Sequence, residues 1–428
     1  MQRRGWRWTA GVLGLGAALL GLAGCNVKGD DGDSIHPNIR VVNLLPDQAT
    51  VDVLLNDSEK FSDVGFGTAT RYQDNPWATY TVEVNSAAGS QLGSFSLATD
   101  QGGHHTVYLY GSGSKLSYSI VGEGSQSVTD GKFVVRTLMA GSQLPGYDLY
   151  LTAAGDDIAG LTPTLYAAAS GSLTSYSGEL AAGDWRVRLT TAGTKTVVYD
   201  RTVNFGAKSA STLVLYSSGS AVLPTVMRMR YDDDSAEALP NTLSRLRVVQ
   251  GTPDVAAARV AVDGATIYQS VPFAGVTNYA IVAAGSRTLG FGDESGGALF
   301  TTLDAALAAG RDYSVFLRGT AGAASALLLE DANLPVSSTQ VRGRFVNAAA
   351  DVAGADVVVN YQPLVSALGG GAATALDSLE ALAYPLSFSS GGTALAALTT
   401  DTLAAGGSYT FALIGAGGQY RAVYYKTN

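Results

Sequence analysis

The chain has 428 residues, a formal net charge of −9, three histidines and one cysteine. Hydrophobic residues make up 46% and charged ones 15%, which excludes a disordered tail, since such segments lack apolar content, and a nucleic-acid binder, which needs a basic footprint. Abundant Gly, Ser, Thr, Val and Tyr at low charge predicts β-structure with many turns.

At the N-terminus, Arg3, Arg4 and Arg7 precede an apolar, glycine-broken run over residues 11–22. This is the plan of a signal peptide, and the run falls short of the roughly 20 residues of a transmembrane helix. It ends in Leu22-Ala23-Gly24-Cys25, which resembles the lipobox of bacterial lipoproteins. The resemblance implies a signal peptide at 1–24 that is removed. It also implies a diacylglycerol on the Cys25 thiol and a further acyl group, such as palmitate, on the new amino group. Lipidation also suits a lone cysteine, which cannot form an internal disulfide. Asn26, where an Asp would retain a lipoprotein at the inner membrane, implies sorting to the outer membrane, with the periplasmic and surface faces both open. Loss of the three arginines takes the net charge from −9 to −12.

Residues 25–37 read as the lipidated cysteine and a flexible polar tether. Asp30, Asp31 and Asp33 lie in it, but an EF-hand loop needs ligands through a twelfth position ending in Glu. A solvated spacer is the better reading.

Four repeats follow, with expected bounds 38–132, 133–243, 244–340 and 341–428. An opening strand recurs at 39–43, 135–138, 246–250 and 341–347. A second recurs at 51–54, 147–150, 259–262 and 355–358. A late one recurs at 106–110, 212–216, 313–317 and 409–413. Apolar side chains alternate with polar ones: Tyr80, Val82 and Val84 share one face, and Arg186 and Arg188 are expected on a wet one. Period two marks half-buried strands. Several short strands per hundred residues, separated by turns such as Leu45-Pro46-Asp47, predict an all-β chain of tandem immunoglobulin-like antiparallel β-sandwich repeats. The one helical candidate is 373–384. Asp52, Asp148 and Asp356 recur at one place and are expected to pair with Arg40, Arg136 and Arg342 or Arg344 on a neighbouring strand.

The first repeat resembles the domain of unknown function 4397 family. Arg40-Val41-Val42, Pro46-Asp47, Val51-Asp52-Val53, Phe66-Gly67, Tyr72, Thr81-Val82-Glu83-Val84 and Val107-Tyr108 carry the likeness. The third repeat follows through Arg247-Val248-Val249, Pro253-Asp254, Val262-Asp263-Gly264, Tyr279 and Tyr313-Ser314-Val315. The second lacks the Pro-Asp turn, and the fourth has Ala350-Asp351 there. The resemblance implies a secreted or surface-attached β-sandwich repeat and supplies no catalytic residues.

No catalytic, cofactor or metal site emerges from the sequence. His104 and His105 are adjacent in a strand and point to opposite faces. His36 lies in the tether. There is no Gly-x-Ser-x-Gly elbow and no phosphate-binding loop. The acidic run Asp232-Asp233-Asp234 reads as solvated. Tyr72, Tyr108, Tyr110 and Tyr118 suit sheet packing better than a binding face. The expectation is therefore a non-enzymatic, lipid-anchored lipoprotein of a bacterial cell envelope, a four-repeat array for binding or envelope structure. Its partners would be the membrane, through the lipid, and an unknown protein or glycan, with no nucleic acid. Two alternatives stand: a glycan or small-ligand binding protein, and an uncharacterised hydrolase.

Overall fold

A computed structural model describes residues 36–334 and 339–428. Cys25, the signal peptide and most of the tether lie outside the described residues. The tether's last two residues are held: His36 Nδ1 lies 3.1 Å from Asp74 Oδ2, and the Pro37 carbonyl accepts from the Asn75 N–H. No helix among the described residues is long and apolar enough to cross a membrane.

Each repeat is a pair of facing sheets, so the tandem β-sandwich is the fold. In the first repeat the opening strand Asn38–Leu44 pairs with the late strand His104–Ser112, which pairs with the closing strand Lys115–Glu123. The facing sheet runs Ser58–Gly65, Thr50–Leu55, Thr79–Ser86, Gln91–Ala98. Its inner face carries Val51, Val53, Tyr80, Val82 and Val84, all buried, as the alternation required. The other repeats vary this plan. The second has a three-stranded facing sheet, Tyr147–Thr152, Gly183–Thr191 and Val197–Phe205. Arg188, expected on a wet face there, is buried and donates to the Thr152 hydroxyl.

One pairing in each repeat departs from the expected antiparallel plan. Opening and late strands run parallel in all four repeats; the remaining strand pairs among the described residues are antiparallel. Parallel strands tend to be covered on both faces, and these are: Ile39 to Leu44 are all buried. One face points into the sandwich, and the other meets the next repeat. Val42, Leu44, Tyr108 and Tyr110 of repeat one pack against Leu138, Val214, Tyr216 and Met227 of repeat two. Val249 and Phe316 of repeat three pack in the same way against Val346, Ala412 and Ile414 of repeat four. The repeats are thus joined in back-to-back pairs by apolar sheet faces, which contribute roughly 25 cal/mol per Å² of apolar surface removed from water.

Local signals recur with the repeats. Thr70, Thr174, Thr277 and Thr374 each accept through Oγ1 from the backbone N–H of an opening-strand residue, Val41, Thr137, Val248 and Phe345, at 2.9, 2.9, 3.0 and 3.1 Å. The Pro-Asp turn has a physical reason as well. Asp47 accepts from the Gly113 N–H and Asp254 from the Ala321 N–H, each through both oxygens, and Asp351 accepts from the Gly417 N–H. The carboxylate thereby fastens the late–closing hairpin to the first turn. The helix expected at 373–384 does not form. Thr374 bonds the opening strand, and Asp377–Glu380 is an edge strand paired with Gln340–Asn347. Alanine's helix propensity is a weak local preference that sheet pairing overrides.

Candidate functional site

The densest chemistry lies at the joints between repeats. Arg40 is fully buried in the opening strand of repeat one. Its Nε donates to Thr106 Oγ1 at 2.8 Å, its guanidinium lies 4.4 Å from the centre of the Tyr72 ring, and Nη2 is 3.7 Å from Glu123 Oε1. Arg136 holds the same place in repeat two. It donates to Thr212 Oγ1 at 2.9 Å, lies over Tyr176, and its Nη2 donates to Glu123 Oε2 at 2.8 Å. One nearly buried carboxylate therefore faces two guanidiniums from two repeats. Burial pushes the Tyr72 hydroxyl up to about 12 and Tyr108 well above the ordinary phenol value, so neither is a ready proton donor.

The joint between repeats three and four uses the matching strand position differently. Asp331 closes its strand as Glu123 does. It pairs with Arg344 of repeat four and accepts from the Tyr279 hydroxyl at 2.5 Å and the Ser314 hydroxyl at 2.7 Å. Burial, reinforced by Asp331, raises the Tyr279 pKa far above the usual value. Arg247 turns instead to the C-terminal strand. Nη1 donates to the Lys426 carbonyl at 2.9 Å, and the guanidinium sits 3.6 Å from the Tyr279 ring centre and 5.0 Å from that of Tyr425.

A third joint links repeats two and three. The fully buried Asp312 accepts two 2.7 Å bonds from Arg245 Nε and Nη2. It also accepts from the Ser220 hydroxyl at 2.7 Å and from Asn333 Nδ2 at 2.6 Å. Burial works to lower the Arg245 pKa, and Asp312 reverses this to hold it above the arginine value. Repeat two has Gln143 where its sisters have the Pro-Asp carboxylate; its late–closing turn is tied to repeat three through Ser220 instead.

The expected Asp–Arg pairs do not form. Asp52 Oδ1 accepts from the Asp63 N–H at 2.8 Å, and Asp356 Oδ1 from the Ala367 N–H at 2.8 Å. Asp63 and Ala367 both have φ of +51°, at bulges in the adjoining strand. Asp148 takes the N–H groups of Ala167 and Gly193. These aspartates belong to the facing sheet, while Arg40, Arg136 and Arg344 point out of the opposite sheet toward the next repeat. The sandwich's own thickness, about 10 Å, separates the two sets. In repeat three Arg259 replaces the aspartate, and no positive-φ residue stands at the matching place.

His104 and His105 do face opposite ways. His104 meets the edges of Tyr72 and Tyr231 at the first joint. His105 Nε2 lies 3.3 Å from Asp100 Oδ1, and burial lowers its pKa against that attraction. Tyr108 and Tyr110 are buried in the joint; Tyr118 stacks on Phe95 at 3.8 Å. Among the described residues no group of three or more His, Cys, Asp or Glu side chains could hold a metal ion. What the joints can do chemically is hold charge in fixed positions. Glu123, Asp331 and Asp312 carry them, and sequence reasoning passed over all three. An acid at the end of the closing strand in repeats one and three was the signal for the first two.

No curated protein matches the sequence. Solved structures that match include one titled "The Bacillus anthracis TIE protein", at 10% identity and a TM-score of 0.16. That alignment covers 86% of this chain and 65% of the other, so this chain spans just under two thirds of that structure's length. The family described as "Domain of unknown function (DUF4397)" matches residues 37–150 and 244–354, each stretch holding one odd-numbered repeat and the start of the next. Those two stretches take in more than half of the sequence, and the chain belongs to this family.

Proposed function

We propose that this is a non-enzymatic lipoprotein of a bacterial cell envelope, held at the outer membrane through Cys25, whose four sandwiches act as a binding or structural array. One observation carries the reading. The arginines that recur in each repeat, Arg40, Arg136, Arg247 and Arg344, are all committed to joints between repeats. Charged groups placed so regularly would be the first candidates for chemistry, and here they fix one sandwich against the next. The leader, the Leu-Ala-Gly-Cys sequence and Asn26 support the anchor and its membrane. Lipid chains of this kind give stable attachment when two or more act together.

The test is metabolic labelling with a palmitate analogue in cells making the full chain, followed by membrane fractionation. The native chain is expected to take up label and sediment with outer membranes. Cys25→Ser should do neither, while retaining the protease resistance of folded sandwiches. Membrane attachment that survives Cys25→Ser would overturn the anchor.

A further inference from the structure

The four repeats differ in charge at one patch of the facing sheet. In repeat four that patch is an open groove of about 340 Å³ on the outward side of three neighbouring strands. Its floor is two cross-strand rows, Val358–Ser387–Ala397 and Pro385–Thr399, with Tyr361 standing at the end. Three strands at the usual spacing make a floor about 10 Å wide. Tyr361 is 80% exposed, the most exposed large hydrophobic residue among those described. It also has φ of +63° in the turn between Gly354–Val359 and Gln362–Gly369. A bulky residue there is a true outlier, and such strain concentrates at ligand-binding positions.

Repeats one and three lack the aromatic at this turn, and none of the sister repeats keeps the neutrality. By strand register, Tyr361 is replaced by Asp57 in repeat one and Gly264 in repeat three. Ser387 corresponds to Glu83 in repeat one and Arg188 in repeat two; Thr399 corresponds to Asp304 in repeat three. Each sister thus places a charged residue at this patch, buried in repeat two, and repeat four has none lining it. Between residues 345 and 420 there is no Lys, Arg or His at all. An anionic ligand would find no counter-charge. The chemistry offered is an exposed ring face and a shallow, mostly apolar floor carrying two hydroxyls, Ser387 and Thr399, which match an uncharged ring bearing both C–H and O–H groups.

We infer that the repeat-four groove binds a neutral oligosaccharide, with Tyr361 as the platform on which a sugar ring stacks and Ser387 and Thr399 as hydrogen-bonding partners. The inference does not depend on the lipid anchor and gives the array a ligand class. The test is calorimetric titration of the full chain in detergent with cellohexaose, maltohexaose and N-acetylchitohexaose, beside the anionic hexagalacturonate. At least one neutral hexasaccharide is expected to bind, and hexagalacturonate to bind more weakly. Tyr361→Ala should weaken the neutral binding about tenfold or more. Tyr361→Gly should weaken it equally while raising the melting temperature, because glycine relieves the turn; a merely structural tyrosine would not separate those two readouts. Binding that is unchanged in Cys25→Ser keeps this result distinct from the fate of the anchor. Failure of all three neutral sugars to bind, or binding insensitive to Tyr361→Ala, would overturn the inference. So would self-association in sedimentation that Tyr361→Ala abolishes, since the occupant would then be a second copy of the chain.

Discussion

The two back-to-back joints solve one problem with the same strand positions and different chemistry. Between repeats one and two, Glu123 is one acid facing two cations, Arg40 fully buried and Arg136 largely so. Between repeats three and four, Asp331 faces one cation and two hydroxyls, and the second cation has moved to backbone carbonyls and two tyrosine rings. The Arg-to-Tyr stacking and the apolar sheet faces are common to both. The apolar faces therefore make the joint, and the charged cluster fixes its register. An electrically short-handed cluster should also be the more fragile. Removing one partner of a buried ion pair leaves an uncompensated charge, and the first joint would leave two.

The largest expected effect follows from that difference. Glu123→Gln should cost about 3–5 kcal/mol, the range for breaking a buried pair. Asp331→Asn should cost about 3 kcal/mol, the low end of that range, because it leaves one buried cation, Arg344, uncompensated rather than two, and the Arg247 contacts persist. Urea titrations of the two variants measure both. A larger loss for Asp331→Asn would break the argument from charge count and would point to the two hydroxyl bonds as the stronger element.

How much of this was legible in the sequence depends on what kind of partner a residue has. Period-two alternation at Tyr80, Val82 and Val84 reports burial directly, so the sandwich could be read. The Pro46-Asp47 turn was visible as a motif, but its partner, the Gly113 N–H, is a backbone group that sequence does not mark. The Asp52–Arg40 pairing failed for a similar reason. Sequence shows that two charges recur in step, but it does not say that one faces a bulge and the other the next repeat. Parallel pairing was hidden because the late strand returns some sixty residues after the opening one, and alternation carries no strand direction. Tyr361 was missed because only comparison of strand registers puts it opposite Asp57 and Gly264.

A smaller effect tests whether the apolar face of the first joint stays closed. Tyr216 lies in that face, and burial raises its pKa from 10.0 to about 12. A raised folded value means stability is fully present below the unfolded value of 10 and is lost as pH rises toward 12, because the unfolded chain releases the proton first. Each pH unit in that window costs about 1.4 kcal/mol for one such group. Tyr216→Phe should therefore flatten the fall of the urea midpoint between pH 10 and 12. An unchanged slope would mean that the Tyr216 hydroxyl titrates freely and that water enters the joint.

The smallest effect concerns a residue at which the two joints should be alike and are not. In each repeat one residue donates its N–H to the end of the opening strand from a left-handed conformation. These are Gly67, Gly171, Ala274 and Gly371, with φ of +70°, +80°, +63° and +78°. Only repeat three has a side chain there, and its Cβ makes that backbone conformation unfavourable. Ala274 packs at the edge of the second joint, so its methyl group sets a small packing gain against the strain. The strain is the larger of the two, since one methyl at a partly covered edge buries little area. Ala274→Gly should stabilise the chain by about 1 kcal/mol despite the added freedom of the unfolded backbone. A thermal melt reads the sign. A lower melting temperature would show that the methyl contact, absent from the glycine of the first joint, is part of how the second holds together.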